Sequence, residues 1–320
     1  MNKNTKKKKV LVTGAGGALA QRVINKLKLR REYDIIGVGF KESTYYDDTI
    51  TNYRIDFSKR GFEMVFREHQ LDAVIHLGRI LLYEDTASRR YNINVIGSKK
   101  IFDLSLKYGV NNLIVLSTFY VYGAHPYNPS LIDEMFPLKA SNNSSKLADA
   151  VELEYLSSLY MLKYPELKTT ILRPCNILGP GVQNSMSLIL DRKYVPCLLG
   201  FSPIMQFIHV DDLAEAIVLS YETPKPGVYN IVTEDWLPYQ KAIKMAGGFP
   251  TPILPFPPAL TRQIVRSMNI NGFPDYLLNY YKYPVVLDGS LFARTFPFKP
   301  RYSLDDIFGY YKKQKNLRVF

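Results

Sequence analysis

The stretch TGAGGALA, Thr13 to Ala20, sits between an apolar run, KVLV, and a segment with apolar residues at helical spacing, ALAQRVINKLKLR. A strand, a glycine turn and a helix in that order can seat a pyrophosphate. Gly14 suits the tight turn, Gly17 lets the backbone approach the phosphates, and Ala20 is small enough for the helix to pack on the strand. Gly16, Ala18 and Leu19 complete the loop, and the first helical turn offers unpaired N–H groups and the positive end of the helix dipole. The chemistry supported is dinucleotide binding. A carboxylate at the end of the second strand would hold an adenosine ribose hydroxyl, but in YDIIGVGFKES that place belongs to Gly39, with Phe40 and Lys41 next. Without the carboxylate a 2'-phosphate is not repelled, and Lys41 can pair with one. NAD and NADP both stay open, with a lean toward NADP; a solvated loop lysine accounts for Lys41 equally well.

A chain of 320 residues, 47% of them hydrophobic, can bury one large core or two unequal ones. No apolar run of about 18 residues is present, so a spanning helix is not expected. The basic start MNKNTKKKK is followed by an apolar run of only Val10 to Val12, too short for a signal peptide. Two cysteines, Cys175 and Cys197, are too few for a disulfide framework and fit a reducing compartment, which makes the cytoplasm the expected location. The formal net charge of +12 would suit an acidic ligand, a nucleic acid or an anionic membrane. Part of it is the Lys6–Lys9 tail, and neither a zinc-finger spacing nor an aromatic RNA-binding signature appears. The expected partner is a small-molecule substrate and not a nucleic acid; peripheral membrane contact and a homodimer stay open.

These residues must be positioned by alternating elements. KVLVTGAG, YDIIGVGF, TNYRIDF, DAVIHLG, NLIVLST and LKTTILRPCNILGPG read as strands, and helical patterns such as SKRGFEMVFREH and YNINVIGSKKIFDLSLKYG lie between them. Gly109 closes the second of these helices as a C-cap. The alternation predicts an α/β fold, a Rossmann-like doubly wound parallel sheet with a smaller C-terminal substrate lobe. Residues 1–8 are a basic leader, 9–175 mainly the dinucleotide-binding part, and 176–320 mainly the substrate lobe, with some segments returning to the main sheet. GFPTPILPFPPAL, 248 to 260, is expected to be irregular because of its prolines. YLLNYYKYPVV is a candidate pocket wall or membrane-facing surface, although such aromatic stripes are more often core.

From about residue 9 to 232 the ordered motifs resemble an extended short-chain dehydrogenase/reductase of the NAD-dependent epimerase/dehydratase family. The resemblance implies that TGAGGALA is the cofactor loop and that Asp56 and Phe57 contact the adenine. It places Leu77 and Gly78 of HLG, then Asn94, along the cofactor, and Pro174 and Asn176 of LRPCNILGPG at the nicotinamide end. LSTFYVYG puts the catalytic Ser/Thr at Thr118, QFIHVDDLAEAI and GVYNIV match the substrate lobe, and VVLDGSLFARTFPFKPRYSLDDIFGYY resembles the C-terminal tail.

The resemblance also implies a tyrosine four residues before a lysine, one helical turn apart, whose phenol exchanges a proton with the substrate. Lys146 matches the lysine, with a second role of bonding the nicotinamide ribose, but the residue four earlier is Asn142, which has no proton to exchange near neutral pH. KASNNSSKLADAVELEYL is expected to be one helix carrying Lys146 inward. Tyr120 and His125 are the candidate replacements for the missing base, each with a bland alternative as aromatic wall or surface loop, while His76 and His209 are expected to be framework residues. Met205 stands where the resemblance implies an arginine for a sugar-nucleotide diphosphate, which weakens a nucleotide-sugar substrate unless Arg192 or Arg262 compensates. The expectation is an NAD(P)-binding oxidoreductase or epimerase-like protein acting at a carbinol or carbonyl carbon. The alternative is a catalytically impaired cofactor-binding pseudoenzyme with a regulatory or assembly role.

Overall fold

The computed structural model describes residues 7–39, 48–80, 86–254, 257–268 and 273–317. Phe40 and Lys41 lie outside the described residues, as does the side chain of Arg262.

The apolar runs become strands: β1 Lys8–Thr13, β2 Tyr33–Gly39, β3 Thr51–Arg54, β4 Ala73–His76, β5 Asn112–Leu116, β6 Lys168–Pro174, β7 Asn176–Leu178, β8 Tyr194–Leu198, β9 Ile204–His209, β10 Gly227–Ile231, β11 Trp236–Pro238 and β12 Phe249–Ile253. Among the described residues, seven of them form one sheet in the order β10-β6-β5-β4-β1-β2-β3. Every pairing within it is parallel. Parallel strands covered on both faces have no wet side, which is why β4 and β5 are buried along their whole length and read as unbroken apolar runs. The α/β doubly wound expectation therefore holds.

Helices α1 Ala18–Arg30, α2 Glu63–Glu68, α3 Ala87–Tyr91, α4 Ser98–Lys107, α5 Ala140–Asn143, α6 Ala148–Lys163, α7 Ser185–Leu190 and α8 Val210–Glu222 follow in chain order, with a π-helical stretch Asn92–Gly97 joining α3 to α4. In α1 the residues Ala20, Val23, Ile24 and Leu27 form a helical stripe that is buried with Val10 and Val12 of β1 and Leu213 and Ile217 of α8. Leu11 points to the opposite layer, with Val65 of α2, Phe102 of α4 and Leu153 of α6. The period-two alternation of β1 thus feeds two cores, one on each face.

The strand order reverses between β1 and β4, and sheets of this kind leave a crevice beyond the C-terminal strand ends at such a switch point. Thr13 and His76, the last residues of these strands, are direct partners in register. Later segments build the second lobe, with β7, β9 and β11 in a small sheet, and helices α9 Tyr239–Met245, α10 Pro258–Met268, α11 Ser290–Thr295 and α12 Leu304–Leu317.

The proline-rich segment is more regular than expected. Phe249–Ile253 pairs in parallel with β8, and α10 begins at Pro258. Phe249 N donates to Lys193 O at 2.7 Å, and Leu199 N donates to Ile253 O at 2.8 Å. Pro250 and Pro252 fall at alternate positions on one edge of this two-stranded ladder, so their missing N–H groups cost it nothing. Pro258 takes the first helical position, where no donor is needed.

Candidate functional site

At the crevice the glycine loop meets the end of β4. Gly14 has φ +71°, and a Cβ there would lie 2.8 Å from Gly78 Cα, so both glycines are needed for the approach. Gly17 is the N-cap of α1 in extended conformation and provides no side-chain cap. The first N–H groups of this helix are therefore left for a ligand. A Cβ at Gly39 would lie 3.7 Å from Gly16 N, an ordinary contact, so there is space for a side chain and the missing carboxylate is not a steric necessity.

Thr13 ties the two strands together. Its Oγ1 accepts from Leu77 N at 3.1 Å and Gly78 N at 2.9 Å and lies 2.7 Å from His76 Nδ1, while His76 Nε2 lies 2.8 Å from Ser98 Oγ. Burial, assisted by the charge of Arg79, lowers the His76 pKa to about 3, so the imidazole is neutral. The framework role expected for His76 follows from this closed network. Because the unfolded chain binds a proton near pH 6.5 and the native ring does not, stability is complete above that value and falls as pH drops toward 3. Denaturant titrations should show about 2 to 3 kcal/mol lost to this group by about pH 4.5, and His76→Gln should remove that share of the pH dependence.

The residues matched to the adenine end differ in what they present. Asp56 Oδ1 accepts from Ser58 N at 2.8 Å and from Ser58 Oγ at 2.7 Å, closing a turn after β3. Phe57 is fully buried, with its ring where a Cβ on Gly97 would come within 2.7 Å, so it supports the site from beneath. Asn94 Oδ1 accepts from Ile80 N at 2.8 Å, and its Nδ2 donates to Ile80 O and Asp149 Oδ2, both at 2.9 Å. Its amide is committed to holding the segment after β4 rather than a ligand. Pro174 ends β6 beside Asn176, whose Nδ2 donates to Gln206 O at 3.0 Å.

The opening of α6 is not the continuous helix expected from KASNNSSKLADAVELEYL. It consists of α5, an extended Ser144 (φ −159°, ψ 124°), a 3-10 turn Ser145–Leu147, and then α6. Ser144 Oγ accepts from Lys146 N at 3.3 Å. Serine and asparagine side chains compete with the helical backbone in this way, and the polar run breaks the helix where the spacing needs it whole. Asn142 and Lys146 are both exposed and do not share one helical face. Nor does Lys146 turn inward as expected; it forms an ion pair with Asp275, Nζ to Oδ1 3.3 Å, and lies 5.2 Å from the Tyr276 ring centroid.

Thr118 caps the 3-10 turn Phe119–Tyr122, its Oγ1 accepting from Tyr120 N at 3.4 Å. Tyr120 stacks obliquely on Phe119 (centroids 4.2 Å) and meets Tyr280 edge-on (4.9 Å), and burial pushes its phenol well up. His125 is exposed and its Nδ1 accepts from Tyr127 N at 3.3 Å, a surface-loop placement. His209 accepts from Asp211 N at 3.2 Å at the start of α8 and stacks on Tyr302 at 3.7 Å.

Between the Thr118 turn and the second lobe lies a pocket. Its lining includes Phe119, Tyr120, Met186, Met205, Tyr280 and Tyr281, with Asn176 at one side and no lysine or arginine among the described residues. Met205 is therefore a pocket wall, and Gln206 bonds the Leu287 backbone instead, Nε2 to O 3.0 Å and N to Oε1 2.8 Å. The YLLNYYKYPVV stretch is both core and pocket wall.

The sequence did not announce the scaffold beneath Thr118. Arg173 NH2 lies 2.7 Å from Glu154 Oε1, both side chains almost wholly buried; Ser117 Oγ donates to the same carboxylate, and Arg173 NH1 donates to Tyr122 OH at 2.7 Å. Arg90 Nε lies 3.6 Å from Asp149 Oδ2 and NH2 donates to Lys146 O at 3.2 Å. These partners are far apart in sequence, and no local motif marks them.

The sequence profile of the NAD dependent epimerase/dehydratase family matches residues 10–232. The chain belongs to that family. Among its relatives, the uncharacterized protein Rv0501 of Mycobacterium tuberculosis is 23% identical over 318 residues, covering 97% of this chain and 85% of that one. UDP-glucose 4-epimerase GEPI48 of Cyamopsis tetragonoloba is 24% identical over 292 residues, covering 77% of this chain and 82% of that one. Among solved structures, the UDP-glucose 4-epimerase of Thermotoga maritima with UDP-glucose superposes with a TM-score of 0.76 at 20% identity, covering 98% and 100% of the two chains. The dTDP-glucose 4,6-dehydratase of Bacillus anthracis in complex with NAD gives 0.74 at 18% identity, covering 97% and 98%. These likenesses establish the shared fold.

Proposed function

We propose that the protein is an NAD(P)(H)-binding oxidoreductase acting at a carbinol or carbonyl carbon of an apolar substrate, and that nucleotide sugars are not its substrates. The observation that carries this reading is the narrow pocket at Phe119 and Tyr120, next in sequence to Thr118, about 20 Å³ in volume and lined by aromatic and aliphatic side chains with Met205 buried in its wall, which a substrate would have to widen. A diphosphate brought against such a surface would lose its hydration without gaining a cation.

The residues present fit a dinucleotide. The Gly14–Gly78 approach packs the glycine loop against the end of β4, and the first turn of α1, which opens from that loop, has no side-chain cap. The backbone of Gly14, Gly16, Gly17, Ala18 and Leu19 would hold the pyrophosphate; Asp56 would meet the adenine, with Phe57 packed beneath it; Leu77, Gly78, Pro174 and Asn176 would line the remainder. When bound, the nicotinamide supplies hydride acceptance or donation. Thr118 Oγ1, whose present partner is a long contact at 3.4 Å, would hydrogen-bond the substrate oxygen. The Lys146 ammonium has three donors and gives one to Asp275 at 3.3 Å, so it would bond the ribose hydroxyls with the others. With Gly39 in place of a carboxylate, NADPH is expected to bind at least as tightly as NADH, measured as paired dissociation constants by calorimetry. UDP-glucose should give no measurable heat. Tight UDP-glucose binding would overturn the apolar-substrate reading, and absence of any dinucleotide binding would overturn the oxidoreductase reading.

A second reading is favoured by the break at Ser144 and the exposure of Asn142. On that reading the chain binds NAD(P)(H) without turnover and acts as a regulator or assembly partner. The apolar stripe Tyr155, Leu159 and Leu162, exposed along α6, further supports a homodimer through this helix. Leu159→Glu is expected to shift sedimentation from dimer to monomer; an unchanged sedimentation coefficient would remove that surface from consideration.

A further inference from the structure

The phenol missing at Asn142 has a candidate source in the second lobe. The 3-10 helix Asp275–Tyr281 brings Tyr276 against Lys146, whose ammonium lies 5.2 Å from the ring centroid and whose ion pair with Asp275 at 3.3 Å ties the two segments together. The Tyr276 hydroxyl is buried and forms no hydrogen bond to any described residue. Buried phenols normally find a partner, so an uncommitted one is a donor lacking its acceptor. The groups acting on it come from several elements: Tyr120 from the turn after Thr118, Asp149 from α6, Arg90 from α3, and its own neighbour Asp275. Tyr276 itself is not in the pocket lining, but Tyr120, which acts on it, and Leu277, the next residue, both are.

We propose that Tyr276 is the proton-transferring residue of this site, taking the place of the tyrosine absent at position 142, with Lys146 beside it as the stabilising cation. The proposal rests on the oxidoreductase reading above. The Tyr–Lys pair is here assembled from two segments 129 and 130 residues apart in the Asp275–Lys146–Tyr276 cluster instead of from one helical turn. In the oxidation direction the substrate O–H bond breaks, its proton passes to the Tyr276 phenolate oxygen, and the electron pair of the C–H bond leaves as hydride for the oxidised nicotinamide, leaving a carbonyl. In reduction the phenol O–H breaks, its proton joins the carbonyl oxygen as hydride arrives at carbon, and the phenolate regains a proton from water admitted when the product leaves. Burial, then the neighbouring Tyr120, pushes the Tyr276 phenol up, with Arg90 opposing and Asp275 and Asp149 adding to the rise. In the free protein it is thus a protonated donor. A cationic oxidised nicotinamide would favour the phenolate, and a neutral reduced one would not.

The test uses the full chain carrying ζ-13C tyrosine, with Tyr276→Phe identifying the resonance, titrated from about pH 6 to 11 in saturating NAD+ or NADH while calorimetry reports binding. The Tyr276 resonance is expected to titrate at least about one unit lower with NAD+ than with NADH, and about one unit or more higher in Lys146→Met than in the native protein with NAD+. The same behaviour in both redox states, including no titration in either, or indifference to Lys146→Met, would overturn the assignment. Binding with an unmoved resonance removes Tyr276 alone. Absence of binding by either dinucleotide removes the oxidoreductase reading and this proposal with it.

Discussion

Gly17→Asp is expected to weaken NAD(P)(H) binding by at least about 100-fold, about 2.7 kcal/mol, while leaving thermal stability unchanged or slightly raised. The two effects separate because of where Gly17 stands. Its backbone is extended (φ −80°, ψ 148°), a conformation open to any residue, and a Cβ there would meet Gly14 O at 3.2 Å, a tight contact that the glycine loop must relax by a few tenths of an ångström, offsetting part of the gain from the cap. As the uncapped N-cap of α1 it is a position where aspartate is favoured, since its carboxylate accepts from the first free N–H groups. The same carboxylate would occupy the donors and the positive dipole end that a pyrophosphate needs, and would repel it. Calorimetry for affinity and a melting curve for stability check the two halves. Unaltered affinity in a folded variant would show that the glycine loop is not a phosphate site.

Arg173→Met is expected to destabilise the protein by about 3 to 5 kcal/mol, measured as a fall in the denaturant midpoint. Arg173 and Glu154 are 5% and 0% exposed at their side chains and 2.7 Å apart, so removing the guanidinium leaves a carboxylate buried without a counter-charge. Tyr122 OH would lose its 2.7 Å donor, and Glu134 O its 2.9 Å donor. The double variant Arg173→Met with Glu154→Leu should recover part of the loss, because the penalty is that of an unpaired charge and not of a missing attraction. A midpoint within about 1 kcal/mol of native for the single variant would show that Glu154 is relieved by water or by protonation. Since Ser117 and Tyr122 both bond into this pair, loosening it should also disturb the turn that carries Thr118.

The opening residues of the chain were legible because their information is local. A short apolar run, glycines at fixed offsets and a helical stripe specify strand, turn and helix within thirty residues, and Gly14 and Gly17 occupy the turn and cap that the motif requires. The parallel sheet followed from the same kind of signal, since fully buried strands such as β5 must be continuous apolar runs. Misreadings arose where local preference and tertiary context disagreed. Prolines at 250 and 252 looked incompatible with a strand, yet an edge pairing leaves their missing donors unneeded. The run Ser141–Lys146 matched a helix motif by spacing, yet Ser144 takes an extended backbone and separates Asn142 from Lys146.

What the sequence alone determined is the glycine loop and its helix, together with Gly39 at the end of the second strand and Asn142 four residues before Lys146, each a matter of residue type at a fixed local offset. What only the tertiary structure decided is the chemistry end. The partner of Lys146 is Asp275, 129 residues away, the pocket wall joins Tyr120 to Tyr280, and the support of Thr118 runs through Glu154 and Arg173. The physical reason is that side-chain chemistry depends on distances of a few ångströms between groups whose separation along the chain carries no periodicity. Such proximity is set by how the second lobe closes over the sheet, which packing across the whole chain decides.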